Sequence, residues 1–170
     1  MKYLTKQDFD TLEARNDYFK GRWDYFDIVI NMAKKIEPKS VLEVGTGGCK
    51  LIEESKVVDI SNSNNGFTYN VDYLIDITKD LHKIEKRFDL IICLQVLEHL
   101  EGKENKTFNE LYEMTDNLII SVPYLWTSKA EISHYNITDE KIKEWTSNKT
   151  PTEQVVVGDS HKRKIIRYKK

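Results

Sequence analysis

A glycine-rich turn is the first place where residue types and spacing suggest chemistry, because Gly45-Thr46-Gly47-Gly48 interrupts a run of strand-forming residues. That run, residues 41–44, is aliphatic except for Glu43. Glycines let a backbone approach a ligand where a Cβ would block it. Lys50 and the residues after it favour a helix, whose first N–H groups would lie unpaired beside the turn. The order of strand, glycine turn and helix therefore predicts the floor of a nucleotide site.

Side chains that could move a proton lie further along, in a Glu-His pair and in a loop. Glu98 and His99 follow a strongly apolar segment, and His134 lies in a later loop that also carries aromatic residues. A histidine changes charge near neutral pH, so either imidazole suits a general base. His134 is equally well explained as a surface histidine, and both interpretations stay open. The spacing of the three residues along the chain gives no support for a metal site.

Composition limits the class of protein that holds these groups. The chain has 170 residues, 39% of them hydrophobic and 32% charged, as expected for one globular domain with a real core. A formal charge of −2 gives no general attraction to nucleic acid or membrane. The N-terminus lacks an apolar signal segment, and no run approaches the roughly 18 apolar residues of a membrane span. With only two cysteines, we expect a cytoplasmic protein with free thiols.

Alternating strand and helix patterns surround the glycine turn. Apolar spacings of three and four predict helices over 5–19, 23–36 and 103–115, and Thr138 can cap a further helix. Loops are predicted at 61–66 and 124–136. Strand patterns occupy 41–44, 56–61, 69–77, 88–94 and 117–122, and a hairpin pairs 154–157 with 164–168 across Gly158-Asp159-Ser160. These elements predict an α/β fold: a Rossmann-like, doubly wound sheet of about seven strands, mostly parallel, with an antiparallel C-terminal hairpin.

One domain over residues 1–170 is expected. Its N-terminal helices would occupy 1–38, its ligand-binding core 39–123, and a substrate-side loop, helix and hairpin 124–170. The connection between the second and third strands is too short for a full crossover helix, since parallel pairing normally needs a dozen or more linking residues. We therefore expect a trimmed connection at this point.

The dinucleotide fingerprint G-x-G-x-x-G does not fit the glycine turn. Lys50 stands where the third glycine is required, and that glycine normally permits close packing of the following helix. An oxidoreductase that uses NAD is therefore the third-ranked interpretation of the site.

The sequence of residues 41–47, Val-Leu-Glu-Val-Gly-Thr-Gly, resembles motif I of class I S-adenosylmethionine-dependent methyltransferases. Further segments agree in order and spacing: Val58–Ser61, Asp76–Leu81, Phe88–Leu100, Asn109–Leu111 and Leu118–Pro123. The resemblance covers residues 41–123. Within this class, the chain is similar to the small, type 11-like methyltransferases. The tail, with Pro123-Tyr124-x-Trp126 and His134, is similar to small methyltransferases associated with surface-glycan gene clusters.

The resemblance implies roles for the residues at the strand ends. Around the methionine part of the cofactor it places Glu43, Gly45, Thr46 and Gly47. Asp59 would accept hydrogen bonds from the ribose hydroxyls, with Ile60 beside it, because a carboxylate accepts two such bonds well. Around the adenine it places Asp76 and Ile77. Under the sulfonium it places Cys93, Leu94 and Gln95, with Cys93 as a small core residue rather than a nucleophile.

The resemblance implies S-adenosylmethionine-dependent methyl transfer to an oxygen or nitrogen of a small molecule or glycan. The cofactor is already activated, so the protein mainly supplies alignment and, where needed, a base from Glu98, His99 or His134. In this family a Glu-His pair also serves as a structural turn. The alternative is a non-catalytic methyltransferase-like module that pairs with an active partner. The basic C-terminus is interpreted as a protected sheet edge rather than a nucleic-acid site, and homodimer formation stays open.

Overall fold

A seven-stranded sheet forms the centre of the structure, which is a computed structural model that describes residues 1–128, 132–159 and 161–170. The strands of the chain are β1 Val41–Val44, β2 Lys56–Asp59, β3 Ser63–Asn64, β4 Phe67–Thr68, β5 Tyr73–Leu74, β6 Phe88–Leu94, β7 Thr115–Pro123, β8 Glu153–Val157 and β9 Arg163–Lys169. The sheet has the order β5-β2-β1-β6-β7-β9-β8, and β3 with β4 makes a separate hairpin.

Helices cover both faces of this sheet. They are α1 Lys6–Glu13, α2 Trp23–Ile36, α3 Ile77–Asp80, α4 Glu104–Glu113 and α5 Asp139–Trp145, with 3-10 turns at Asp17–Phe19, Leu81–Lys83, Leu97–His99 and Ile132–His134. The helices α1 and α2 pack on one face, and α3, α4 and α5 pack on the other. No helix among the described residues is long and apolar enough to cross a membrane.

Strand β6 shows why the sheet is buried on both sides. Leu90 and Ile92 belong to the core against α2, while Ile91 and Cys93 belong to the core against α4. A continuous apolar run is typical of such a central parallel strand. The strands from β5 to β7 are parallel, and β9 and β8 continue the sheet antiparallel. The predicted fold class is therefore confirmed, including the C-terminal hairpin.

The helix predicted after the glycine turn is wrong. Within the described residues, 45–55 contain no helix, and the buried Glu43 explains why. Its carboxylate accepts hydrogen bonds from the Leu51 and Ile52 amides at 2.8 and 3.0 Å and from the Ser55 hydroxyl at 2.6 Å. Ile52 also bridges to Tyr3 near the N-terminus. These tertiary bonds hold the segment in turns rather than a helix, so no helix N-terminus lies beside the glycine turn.

Three other predictions need correction. The helix predicted over 5–19 ends at Glu13, because the Asn16 side chain accepts from the Tyr18 amide and starts a separate turn. The strand predicted over 69–77 is only Tyr73–Leu74, since the chain before it returns from a hairpin and Asp76 after it caps α3. That β3–β4 hairpin occupies part of the loop predicted at 61–66.

Several sequence predictions lie partly outside the described residues. In the loop predicted at 124–136, residues 129–131 are not described, and Ser160 of the hairpin connection is not described either. The division of the domain at residues 38 and 123 stays a prediction.

Candidate active site

The carboxyl ends of β1, β2 and β6 meet at one edge of the sheet and border a cavity of about 260 Å³. Its wall is mainly apolar and includes Gly45, Ile60, Ile77 and Val96, with Asp59 contributing a carboxylate. In parallel sheets ligands bind at this edge, where loops follow the strands. We call this space the β2 cavity.

The glycine turn is shaped by its own neighbours. Gly45 has a φ of 64°, and a Cβ there would lie 2.5 Å from the Val96 side chain, so no other residue fits. At Gly47, with a φ of 58°, a Cβ would lie 3.1 Å from Tyr18 and Asn64. The Thr46 hydroxyl accepts a hydrogen bond from the Gly48 amide at 3.2 Å. The turn therefore depends on glycine at both positions, and Gly45 lines the β2 cavity.

Asp59, at the end of β2, is the fixed acid of the cavity. Its side chain accepts hydrogen bonds from the Tyr69 hydroxyl at 3.2 Å and from the amides of Gly47 and Ser61, both at 3.4 Å. Burial, followed by the neighbouring Asp59 charge, raises the pKa of Tyr69 above its usual range. Sequence reasoning missed Tyr69, because its contact with Asp59 depends on the β3–β4 hairpin, which local patterning did not reveal.

Asp76 and Ile77 line the same cavity. Asp76 caps α3, accepting from the Thr78 amide and hydroxyl at 3.0 and 2.7 Å. Its other oxygen pairs with Lys79 at 2.8 Å. The hydrogen bond from Lys79, with those from Thr78, holds the pKa of Asp76 well below its usual value. Asp76 therefore stays an anion with its oxygens engaged, and Ile77 supplies the buried apolar surface beside it.

Four other residues predicted to bind the cofactor lie in different places, and only one of them lines the β2 cavity. Glu43 is turned into the 51–55 loop, so its contribution to the turn is structural. Cys93 is fully buried in the core, where burial raises the pKa of its thiol, and it does not line the β2 cavity. Leu94 faces a narrow space that it shares with Arg22. Gln95, with a φ of 56°, lines the β2 cavity and donates to the Ser121 hydroxyl at 3.1 Å.

A second cavity of about 480 Å³, which we call the histidine cavity, adjoins the first at Gln95 and His99. His99 and His134 lie in its wall with their Nε2 atoms 3.2 Å apart. The edge of Trp126 packs against His134, with ring centroids 5.3 Å apart. The three predicted catalytic residues are thus brought together, since Glu98 lies buried next to His99.

These three residues also form a candidate cation site. One ligand atom from each of Glu98, His99 and His134 lies within 4.8 Å of the others. Spacing could not reveal this, because His99 and His134 are 35 residues apart and meet only through two 3-10 turns. Two imidazoles and a carboxylate are a donor set that binds divalent transition metals.

Comparison with known proteins agrees with the fold. No family model matches the chain, and no curated protein matches it. Among solved structures, an S-adenosylmethionine-dependent methyltransferase from Clostridium acetobutylicum has a TM-score of 0.68 at 12% identity, covering 96% of this chain and 98% of that one. The methyltransferase domain of bacterial CtHen1 has a TM-score of 0.64 at 13% identity, covering 85% and 97%.

A further solved structure is the N-terminal domain of EvdMO1, crystallised in the presence of SAH and D-fucose. It has a TM-score of 0.53 at 11% identity and covers 84% of this chain and 80% of that one. Together these likenesses show that the chain has the fold of class I S-adenosylmethionine-dependent methyltransferases.

Proposed function

We propose that this chain transfers a methyl group from S-adenosylmethionine to an oxygen or nitrogen of a small molecule or glycan. The observation that carries the proposal is the β2 cavity, where an apolar wall at Ile77 and Val96 and a fixed carboxylate at Asp59 meet the glycine turn. When bound, S-adenosylmethionine supplies an activated methyl group on a sulfonium.

The wall of the β2 cavity fits the nucleoside part of such a cofactor. Ile60 is 73% exposed although it is a large aliphatic residue, and it lines the cavity together with Ile77. A flat ring that packs against Ile60 would cover its exposed surface. Asp59 is the last residue of β2 and directly precedes Ile60. Its carboxylate can accept hydrogen bonds from ligand hydroxyls. This division of apolar and polar groups suits a nucleoside.

The histidine cavity is the proposed place of the methyl acceptor. The Nε2 atoms of His99 and His134 lie 3.2 Å apart, so an imidazole that takes a proton from an acceptor hydroxyl or amine can share that proton with the other ring. Gln95 lies where the two cavities adjoin and is fixed by Ser121. Transfer in line from one cavity to the other requires this alignment more than it requires chemical activation.

A small molecule or glycan acceptor fits the size of the histidine cavity. Its volume of about 480 Å³ accommodates a ligand of one or two rings. The EvdMO1 domain, which shares the fold, was crystallised in the presence of SAH and D-fucose, and this supports a sugar-type acceptor.

Transfer of a labelled methyl group tests the proposal. We expect the purified protein, given labelled S-adenosylmethionine, to label a component of the small-molecule fraction of a cell extract. If cofactor binds but no fraction is labelled, and a stable partner protein is recovered instead, the non-catalytic interpretation replaces this one. Stabilisation by NAD without any effect of S-adenosylmethionine would favour the oxidoreductase interpretation.

A divalent cation could also bind Glu98, His99 and His134, and because it would occupy the imidazole nitrogens, its binding would compete with their role as a base. Titration with Co²⁺, followed by its visible absorption, should show one site in the wild-type protein. His99→Ala should weaken this binding at least about tenfold, because it removes a nitrogen ligand. His82→Ala is the matched control, since His82 is an exposed histidine in another 3-10 turn. Equal Co²⁺ affinity in the two variants would rule out the site.

A further inference from the structure

Two arginines from distant parts of the chain line the histidine cavity together. Arg22 precedes α2, and Arg163 is the first residue of β9. They meet at the buried Tyr25. An Nη1 atom of Arg22 donates to the Tyr25 hydroxyl at 3.1 Å, and the Arg163 guanidinium lies 4.8 Å from the Tyr25 ring centroid. The fold thus concentrates two positive charges on one wall of the cavity.

Neither guanidinium has an ion-pair partner within the described part of the chain. Arg87, by contrast, pairs with Asp116 at 3.0 Å on the surface. The Nε of Arg22 donates a hydrogen bond to the Tyr18 carbonyl at 2.8 Å, and the guanidinium lies 4.1 Å from the Tyr18 ring centroid. The buried Nε of Arg163 makes no hydrogen bond within those residues. Aromatic rings therefore hold both groups in position, and no carboxylate neutralises them directly.

Arg163 is the less satisfied of the two arginines, because it is half-buried and its Nε has no hydrogen-bond partner among the described residues. Burial lowers the pKa of Arg163, the neighbouring Tyr25 opposes this shift, and the charge of Arg22 adds to it. A buried charge without a hydrogen-bonded partner is unfavourable. A planar guanidinium matches carboxylate and phosphate oxygens with paired donors.

We propose that Arg22 and Arg163 bind an oxyanion, phosphate or carboxylate, that belongs to the methyl acceptor. The acceptor is then an anionic small molecule or sugar derivative, anchored at the arginines with its reacting hydroxyl or amine at the histidine pair. This inference rests on the proposed function in assigning the histidine cavity to the acceptor. Oxyanion binding itself needs no cofactor, so the two proposals can fail separately.

Titration with inorganic phosphate, followed by ³¹P NMR line broadening at constant ionic strength, tests the site. We expect saturable binding to the wild-type protein and at least fivefold weaker binding to Arg163→Gln and to Arg22→Gln. Arg163→Lys should bind more weakly than wild type as well, because an ammonium lacks the paired donors. Acetate, titrated in competition, shows whether carboxylate is accepted at the same place.

Arg15→Gln is the control, since Arg15 is an exposed arginine outside the cavity. Thermal unfolding of each variant shows that it is folded, and calorimetric affinity for S-adenosylhomocysteine should stay within twofold of wild type. Absence of saturable phosphate binding, or equal affinity in all variants, overturns the proposal. A parallel loss of S-adenosylhomocysteine affinity in both cavity variants also overturns it, because the oxyanion would then be the carboxylate of the cofactor.

Discussion

Replacing Glu43 with alanine should lower the free energy of unfolding by about 3 kcal/mol, because three buried donors lose their acceptor at about 1 kcal/mol or more each. The donors are the amides of Leu51 and Ile52 and the hydroxyl of Ser55. Burial raises the pKa of Glu43, and those three hydrogen bonds oppose the shift. The carboxylate is thus tolerated in the core only because the 51–55 loop surrounds it.

Urea denaturation of the variant measures this loss. Glu43→Gln should lose less, since an amide oxygen can still accept from the loop. Glu53→Ala is the matched control: it removes an acid from the same loop, but its ion pair with Lys2 is exposed and contributes little. If Glu43→Ala and Glu53→Ala unfold at the same urea concentration, the buried carboxylate does not organise the loop.

Replacing His134 with alanine should slow methyl transfer about a hundredfold, the loss typical of a general base. The Nε2 atom of His134 lies 3.2 Å from that of His99, and its ring packs against Trp126. A proton that His134 takes from the acceptor can therefore be shared with His99. The affinity for S-adenosylhomocysteine should not change, because His134 lines the histidine cavity and not the β2 cavity.

Initial rates of labelled methyl transfer give the measurement, with His82→Ala as the control for loss of an exposed histidine. A His134→Ala variant as fast as His82→Ala would exclude His134 as the base.

Local patterns predicted the elements that depend on neighbouring residues. The run Phe88–Leu94 became β6 with its predicted bounds, and α2 occupies the predicted 23–36. Thr138 caps α5 by accepting from the Lys141 amide. Each of these depends on periodicity or on a cap within a few residues. The order of motifs along the chain then predicted which strand ends would border the cavity.

Contacts between distant residues could not be predicted in this way. The helix expected after Lys50 competes with the bonds that Glu43 makes to the same segment, and the tertiary bonds prevail. Tyr69 reaches Asp59 only after the β3–β4 hairpin reverses the chain. The meeting of Arg22 and Arg163 at Tyr25 joins the two ends of the sequence and leaves no local signal.

Calorimetric titration with S-adenosylhomocysteine tests whether the β2 cavity holds the cofactor, and it requires no knowledge of the acceptor. We expect binding with a dissociation constant on the order of micromolar for the wild-type protein. Asp59→Ala should bind at least about tenfold more weakly, since it removes the charged acceptor at the end of β2. Asp116→Ala, at an exposed acid at the start of β7, should bind like wild type. No binding by the wild-type protein would mean that the chain does not use S-adenosylmethionine. Equal affinity in the two variants would mean that Asp59 does not bind the cofactor.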